Sequence, residues 1–412
     1  MSVCSRRALF QASALSLGSA LIGCGKKRAP GFWETPPLPD YEAGLFCDVN
    51  PKWAHDGKRI AFLRATPDRK HQLCVLEIAT RTIQPLFKPE LVYPDRPFHP
   101  GQDRYISPDT IAWSPDDARI AFPRAEWLEF PNGERLPGTG LWMAHLRSLR
   151  VSPLALHKKT TIGSYPFYRF PQWSPDGRRL AFVGEGIYGQ RSIFLRALSV
   201  QNAFDVAPRP DAFLDSDWPV WEPSTRAKDL PALTHRQRIQ RVAGAPPTET
   251  LRRIRPGSQD AADSGEFWRI GPEWKDGIPN AVWRIGHLAW SPDGEWLAFT
   301  LTPDANALSL YAIWVVRRDG GDARRISPQD GQGYLAPVWI QSQRVGALSP
   351  QKMAYQVVIL ERERERKTIL GEIETADCDW SPDRRSIAYA TRPTRRPPET
   401  TTTMRFFETG IV

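Results

Sequence analysis

Ser, Asp and Arg stand together in one decapeptide, WSPDGRRLAF at residues 173–182. A hydroxyl beside a carboxylate and a guanidinium is a set that could serve nucleophilic or acid–base chemistry. Nearly the same stretch returns as WSPDDARIAF from Trp113, WSPDGEWLAF from Trp290, which lacks the Arg, and WSPDRRSIAY from Trp380, and more loosely as WAHDGKRIAF from Trp53, which lacks the Ser. In all five copies an (Ile/Leu)-Ala pair starts seven residues after the Trp and an aromatic residue follows at nine. A fixed register over five copies marks an architectural repeat. Asp176, Asp293 and Asp383 are therefore read as turn-shaping residues.

Other catalytic sets are not found. A serine hydrolase domain would show a G-x-S-x-G elbow, and none occurs. The seven histidines, His55, His71, His99, His145, His157, His235 and His287, are scattered and form no H-E-x-x-H. There is no CxxC. No catalytic residue, metal ligand or cofactor is assigned. A site assembled from distant segments would leave no local motif, so an enzymatic alternative stays open.

The first residues carry a different kind of chemistry. Arg6 and Arg7 precede a mildly apolar stretch, Ala8–Ile22, and then Gly23-Cys24. That is the layout of a secretory signal over residues 1–23. Ser5–Phe10, SRRALF, resembles a twin-arginine export motif. Leu21–Cys24, LIGC, resembles a bacterial lipoprotein box, which implies cleavage before Cys24 and acylation of that residue. Several acyl chains, each contributing about 0.8 kcal/mol per buried CH₂, would hold the protein to a membrane. Residues 24–44 contain PGFWETPPLPDYEAG and read as an extended Pro-rich tether. By analogy with enterobacterial lipoproteins, Gly25 after the Cys favours the outer membrane. Cys47, Cys74 and Cys378 remain, with a Cys47–Cys378 bridge and three unpaired thiols both open.

What elements must position these residues? The chain has 412 residues, 39 of them Pro and 16 Trp, and shows no long helical periodicity. Short strands separated by turns fit that composition. Within Phe170–Ala207, FPQW is a first strand and SPDG a tight turn. RRLAFV is a second strand, with Leu180 and Phe182 on one face and Ala181 and Val183 on the other. IFLRALS and Ala203–Val206 complete four strands. Weaker copies at Trp221 and Trp339 bring the Trp ladder to 53, 113, 173, 221, 290, 339 and 380. The chain is thus expected to be all-β, a β-propeller of seven four-stranded blades over residues 45–412, with six blades as the alternative. Only 32 residues follow Trp380, so Ala43–Val49 is expected to supply the last blade's outer strand.

The Trp-Ser-Pro-Asp-Gly repeat resembles that of TolB-like β-propellers, the TolB protein being the periplasmic partner of the Tol system. Similar repeats occur in propellers of prolyl-oligopeptidase-like enzymes and of some polysaccharide-degrading proteins. Together with the lipoprotein-like N-terminus, the resemblance implies a non-enzymatic, lipid-anchored lipoprotein that acts as a protein–protein interaction scaffold in the cell envelope. The alternative is an envelope polysaccharide lyase or hydrolase with a site in the propeller channel.

Partner-binding residues are expected in the loops that precede each Trp and gather at one mouth of the channel. They are Arg104, Tyr105, Tyr165, Phe167, Tyr168, Arg169, Trp218, His287 and Tyr334, with Asp103 and Asp217 beside them. Aromatic residues and Arg are the usual binding hot spots. Partners are expected to be envelope proteins and, through the lipid, a membrane. The formal charge of +9 could also suit nucleic acid, but an exported chain argues against it. The basic runs His235–Arg241 and Leu251–Gly257 read as an elaborated loop over about 225–280, solvated or forming a patch for an acidic partner or membrane surface. Glu361–Arg366, ERERER, reads as an exposed outer hairpin.

Overall fold

The computed structural model describes residues 47–65, 70–86, 90–91, 111–129, 135–155, 167–186, 191–198, 204–206, 214–223, 231–239, 248–255, 265–270, 283–303, 308–352, 354–364, 366–390 and 404–411. Arg6, Arg7, Cys24 and the expected signal and tether lie outside these residues. So do Asp103, Arg104, Tyr105 and Tyr165.

The described strands form consecutive antiparallel units, each opening on a strand that ends at or near a ladder Trp. Those first strands are Cys47–Trp53, Ala112–Trp113, Phe167–Trp173, Leu214–Trp221, Trp283–Trp290, Leu335–Gln341 and Cys378–Trp380. They open units one to seven. Units two and three merge into one eight-stranded sheet through a parallel pairing of Phe167 with Thr139. Units four, five and six are four-stranded, and unit seven has three strands among the described residues. The chain is a β-propeller: the first strands of units one to six touch in succession, and that of unit seven touches that of unit one.

The (Ile/Leu)-Ala-(Phe/Tyr) triplet explains why a unit cannot stand alone. Alternate side chains of a strand face opposite ways, so each second strand feeds two cores. Leu180 and Phe182 pack with Ala121 and Leu141 of unit two, whereas Ala181 and Val183 pack with Trp221 and Leu233 of unit four. The last joint closes the ring: Ile60 and Phe62 of unit one pack with Ala388 of unit seven.

The repeated Trp ties unit to unit. The indole N–H of Trp113 donates to the Lys52 carbonyl at 2.9 Å, that of Trp173 to Ala112 at 3.1 Å, and that of Trp221 to Gln172 at 3.0 Å. Trp339 donates to Ala289 at 2.9 Å. In each case the acceptor is the residue just before the preceding unit's Trp. Trp53 continues the series across the ring joint, donating to Asp379 at 3.2 Å.

The turns confirm their structural role. Ser174 Oγ donates to Asp176 at 2.5 Å, Asp176 accepts the Arg178 N–H at 3.0 Å, and the Arg179 N–H donates back to Ser174 Oγ at 2.9 Å. The residue four after the Trp adopts positive φ at Gly57, Asp117, Gly177, Gly294 and Arg384. Glycine fills that place where nothing else constrains it. Asp117 keeps the strained place because its carboxylate accepts the backbone N–H groups of His55 at 2.9 Å and Asp56 at 2.7 Å from unit one.

Two expectations need correction. Cys47–Val49 pairs with Leu63–Ala65 as the innermost strand of unit one, so it is not the outer strand of the last unit. The basic segment within 225–280 is no elaborated loop: Leu233–Ile239, Thr248–Ile254 and Gly265–Arg269 are the second, third and fourth strands of unit four. Arg236 and Arg253 meet buried carboxylates, as described below. The Cys47 side chain lies outside the described residues, and with it the choice between a Cys47–Cys378 bridge and three unpaired thiols. ERERER does occupy the turn of an outer hairpin, between Tyr355–Glu361 and Lys367–Ile373.

Candidate functional site

One position distinguishes the first strands. Three residues before the Trp, the backbone turns left-handed at Asn50, Phe170, Trp218, His287 and Ala336, with φ between 49° and 55°. At each the ladder register slips, between Val49 and Lys52, Arg169 and Gln172, Asp217 and Val220, Gly286 and Ala289, and Leu335 and Val338. A bulge inserts one residue and re-aims its side chain. Left-handed conformations at non-glycine residues cost roughly 1–3 kcal/mol each and cluster at functional sites.

In three consecutive units the bulged residue is a ring. Phe170 and Trp218 lie 5.3 Å apart between centroids, and Trp218 and His287 lie 4.6 Å apart. The planes are tilted by 38° and 45°, so the rings form a continuous arc rather than a flat stack. All three are half-buried. Gly286 lies beneath the indole, where an added Cβ would stand 3.8 Å from Trp218 Nε1.

Behind the arc runs a chain of alternating charges. Arg169 approaches Glu185 at 3.5 Å, and Glu185 approaches Arg191 at 3.4 Å. Arg191 donates to Asp217, which also meets Arg236 at 3.5 Å. Arg236 meets Glu249 at 3.4 Å, and Glu249 accepts the Ile285 N–H at 2.7 Å. Asp217, Glu249 and Arg236 have relative exposures of 0%, 1% and 6%. Burial pushes the Glu249 carboxyl above its ordinary range, although Arg236 opposes it. A buried charge is tolerated only when paired. HRQRIQR supplies Arg236 to this chain of charges, and LRRI supplies Arg253, on the same face of the sheet, to a second cluster. There Glu222 accepts from Arg253 and approaches Arg318 at 3.0 Å. Neighbouring His235 is fully enclosed, and desolvation lowers its pKa to about 4.

The residues expected from sequence fall into different places. Trp218 and His287 meet in the arc. Arg169 begins the ionic chain and its guanidinium covers the Phe167 ring at 5.7 Å. Tyr168 faces the core, 5.1 Å from Phe182 and 6.0 Å from Phe194, so it packs within the blade. Tyr334 is fully buried. Its hydroxyl donates to Asp330 at 2.7 Å and accepts from Lys367 at 3.0 Å, and burial raises its pKa to about 12. It is not part of an open surface. Phe170 was not among the expected residues, yet it shares the offset from the Trp that Trp218 and His287 have. Asp217 was noted only as a neighbour, not as an anchor. No group of three or more His, Cys, Asp or Glu among the described residues is placed to hold a metal ion.

No protein-family profile and no curated protein matches the chain. Solved structures do. The β-propeller domain of the Trilobed protease from Pyrococcus furiosus is 13% identical, with 84% of this chain and 91% of that chain covered and a TM-score of 0.51. The acylaminoacyl peptidase of Pyrococcus horikoshii is 11% identical over 84% of this chain at a TM-score of 0.52, and the match spans 49% of that chain. TolB from Acinetobacter baumannii is 14% identical, with 92% of this chain and 72% of that chain covered and a TM-score of 0.41. The first two of these likenesses define the class, a β-propeller. At such identities they reach no further than the fold.

Proposed function

We propose that this protein is a non-enzymatic, lipid-anchored β-propeller lipoprotein that acts as a protein–protein interaction scaffold in the cell envelope. The observation that carries the binding role is the Phe170–Trp218–His287 arc, three half-buried rings set on strained bulges of adjacent first strands. The left-handed bulge recurs in five units, and what is particular to units three to five is that a ring occupies it. Rigid aromatic surface offers large contact area at little conformational cost. The charges behind the arc pair with one another, so the rings and not net charge would supply the attraction. The expected partner segment is therefore apolar or ring-bearing, and its capture is only weakly salt-dependent. Envelope location and the anchor rest on the signal-like N-terminus and Cys24.

The test is a crosslinked pull-down of the full-length protein from its own cells, compared with Trp218→Ala and His287→Ala. Both variants should fold and lose the same specific envelope protein. Retention of that protein by both would remove the arc from the account. Sugar rings also stack on aromatic surfaces, so turnover of an envelope polysaccharide by the purified protein, lost in Trp218→Ala, would establish the lyase or hydrolase alternative. For the anchor, fatty-acid labelling should mark the wild type and not Cys24→Ala.

A further inference from the structure

The arc and the ionic chain coincide residue for residue, and this coincidence goes beyond simple proximity. Arg169 immediately precedes Phe170, Asp217 immediately precedes Trp218, and Glu249 holds the N–H of Ile285, two residues before His287. Each rung of the arc is thus flanked by one station of the chain. The chain crosses three units by way of second, third and first strands: Glu185 and Arg236 sit on second strands, and Arg191 and Glu249 on third strands.

Asp217 is the central station. One carboxylate oxygen accepts the Trp218 N–H at 2.8 Å, and the other faces Arg191 and Arg236. That N–H belongs to a residue at φ 54°, left-handed and out of register with the partner strand, so the ladder does not provide its acceptor. Unit one repeats the device with different residues: left-handed Asn50 donates its N–H to Asp377 Oδ2 at 2.8 Å. A carboxylate that captures the bulged N–H replaces a lost ladder bond and fixes where the following side chain points.

We infer that Asp217 is a positioning residue: held by Arg191 and Arg236, it locks Trp218 in its left-handed bulge and so keeps the Phe170–Trp218–His287 arc assembled as one preorganised face. Preorganisation of this kind lowers the ordering cost of capturing a partner. The inference rests on the arc being the binding face, but its own readout needs no partner. A failure of capture and a failure of positioning are therefore separate results.

The experiment uses the full-length protein labelled with 5-fluorotryptophan and observed by fluorine NMR. The Trp218 resonance is assigned by its loss in Trp218→Phe. In the otherwise wild-type protein, His287→Ala removes a ring 4.6 Å from the indole and shifts that resonance. In the Asp217→Asn background the same substitution should leave the Trp218 resonance unmoved, because the indole no longer rests on His287. The other tryptophan resonances should keep their positions, which a general loss of packing would not allow. A folded Asp217→Asn protein whose Trp218 resonance responds in full to His287→Ala overturns the inference. Should Asp217→Asn not fold, Arg191→Gln decides the matter. Arg191 is partly exposed, 29% at its side chain, and its loss removes one of the two guanidiniums gripping Asp217. A diminished response supports positioning, and a full response refutes it.

Discussion

Replacing Trp173 by Phe tests what the repeated Trp is for. The change removes the indole N–H that donates to the Ala112 carbonyl at 3.1 Å. The lost bond is worth about 1 kcal/mol net, and stranding a buried carbonyl adds about 1–3 kcal/mol. Arg119 lies over the same ring at 4.7 Å, and weakening that contact costs about 0.5 kcal/mol. Trp290 provides the internal control: it is equally buried, but its indole N–H meets no acceptor. Trp290→Phe removes a comparable volume and no inter-unit bond. Trp173→Phe should therefore be less stable than Trp290→Phe by about 2–3 kcal/mol. The assay is equilibrium urea unfolding, with the slope checked for constancy so that midpoints can be compared. Equal costs for the two substitutions would refute the claim that the indole N–H ties one unit to the next.

Further outcomes follow from single residues. His235 carries a pKa of about 4 when folded against 6.5 for an ordinary imidazole. Below pH 6.5 the unfolded chain binds a proton that the folded one refuses, so stability is full above pH 6.5 and falls as the pH drops toward 4. The loss approaches about 3 kcal/mol, and a His235→Gln protein should show a flatter profile between those limits in thermal unfolding. Asp117→Gly relieves a left-handed residue by about 1 kcal/mol but removes a carboxylate holding His55 and Asp56. A net destabilisation of about 2 kcal/mol is expected, since each charge-assisted bond contributes about 1.5–3 kcal/mol; a stabilised Asp117→Gly would contradict it. At Gly371 an added Cβ would stand 2.5 Å from the Phe407 ring of unit seven, so Gly371→Ala should cost about 1–3 kcal/mol by overpacking. An unchanged unfolding midpoint would show that Phe407 yields freely.

The fold was legible because its information is periodic. Turn residues, the Trp and the alternating triplet repeat at fixed offsets, and each has a local physical reason. The arc was half legible. Trp218 and His287 stood out as aromatic residues before a Trp, whereas Phe170 was passed over beside Tyr168. Aligning the first strands on their Trp would have found it, since all three sit three residues upstream. Tyr168 and Tyr334 misled because burial depends on partners remote in sequence. Tyr168 meets Phe182 and Phe194, and the Tyr334 hydroxyl meets Lys367. The same remoteness hid unit four. Its strands read as basic and therefore solvated, but Arg236 finds Asp217 on the preceding strand and Glu249 on the following one. Charge pattern alone cannot show that a strand carries its neutralising partners on its neighbours.

The central claim is that the protein meets its partner through the aromatic arc. It is tested most directly by site-specific photo-crosslinking in living cells, with a benzophenone amino acid placed at Trp218 in one strain. In a second strain it replaces Lys58, an exposed turn residue beyond the Trp end of the first strand. The account predicts one discrete protein adduct from position 218 and none from position 58. Adducts of the same size from both positions, or from position 58 alone, would contradict it.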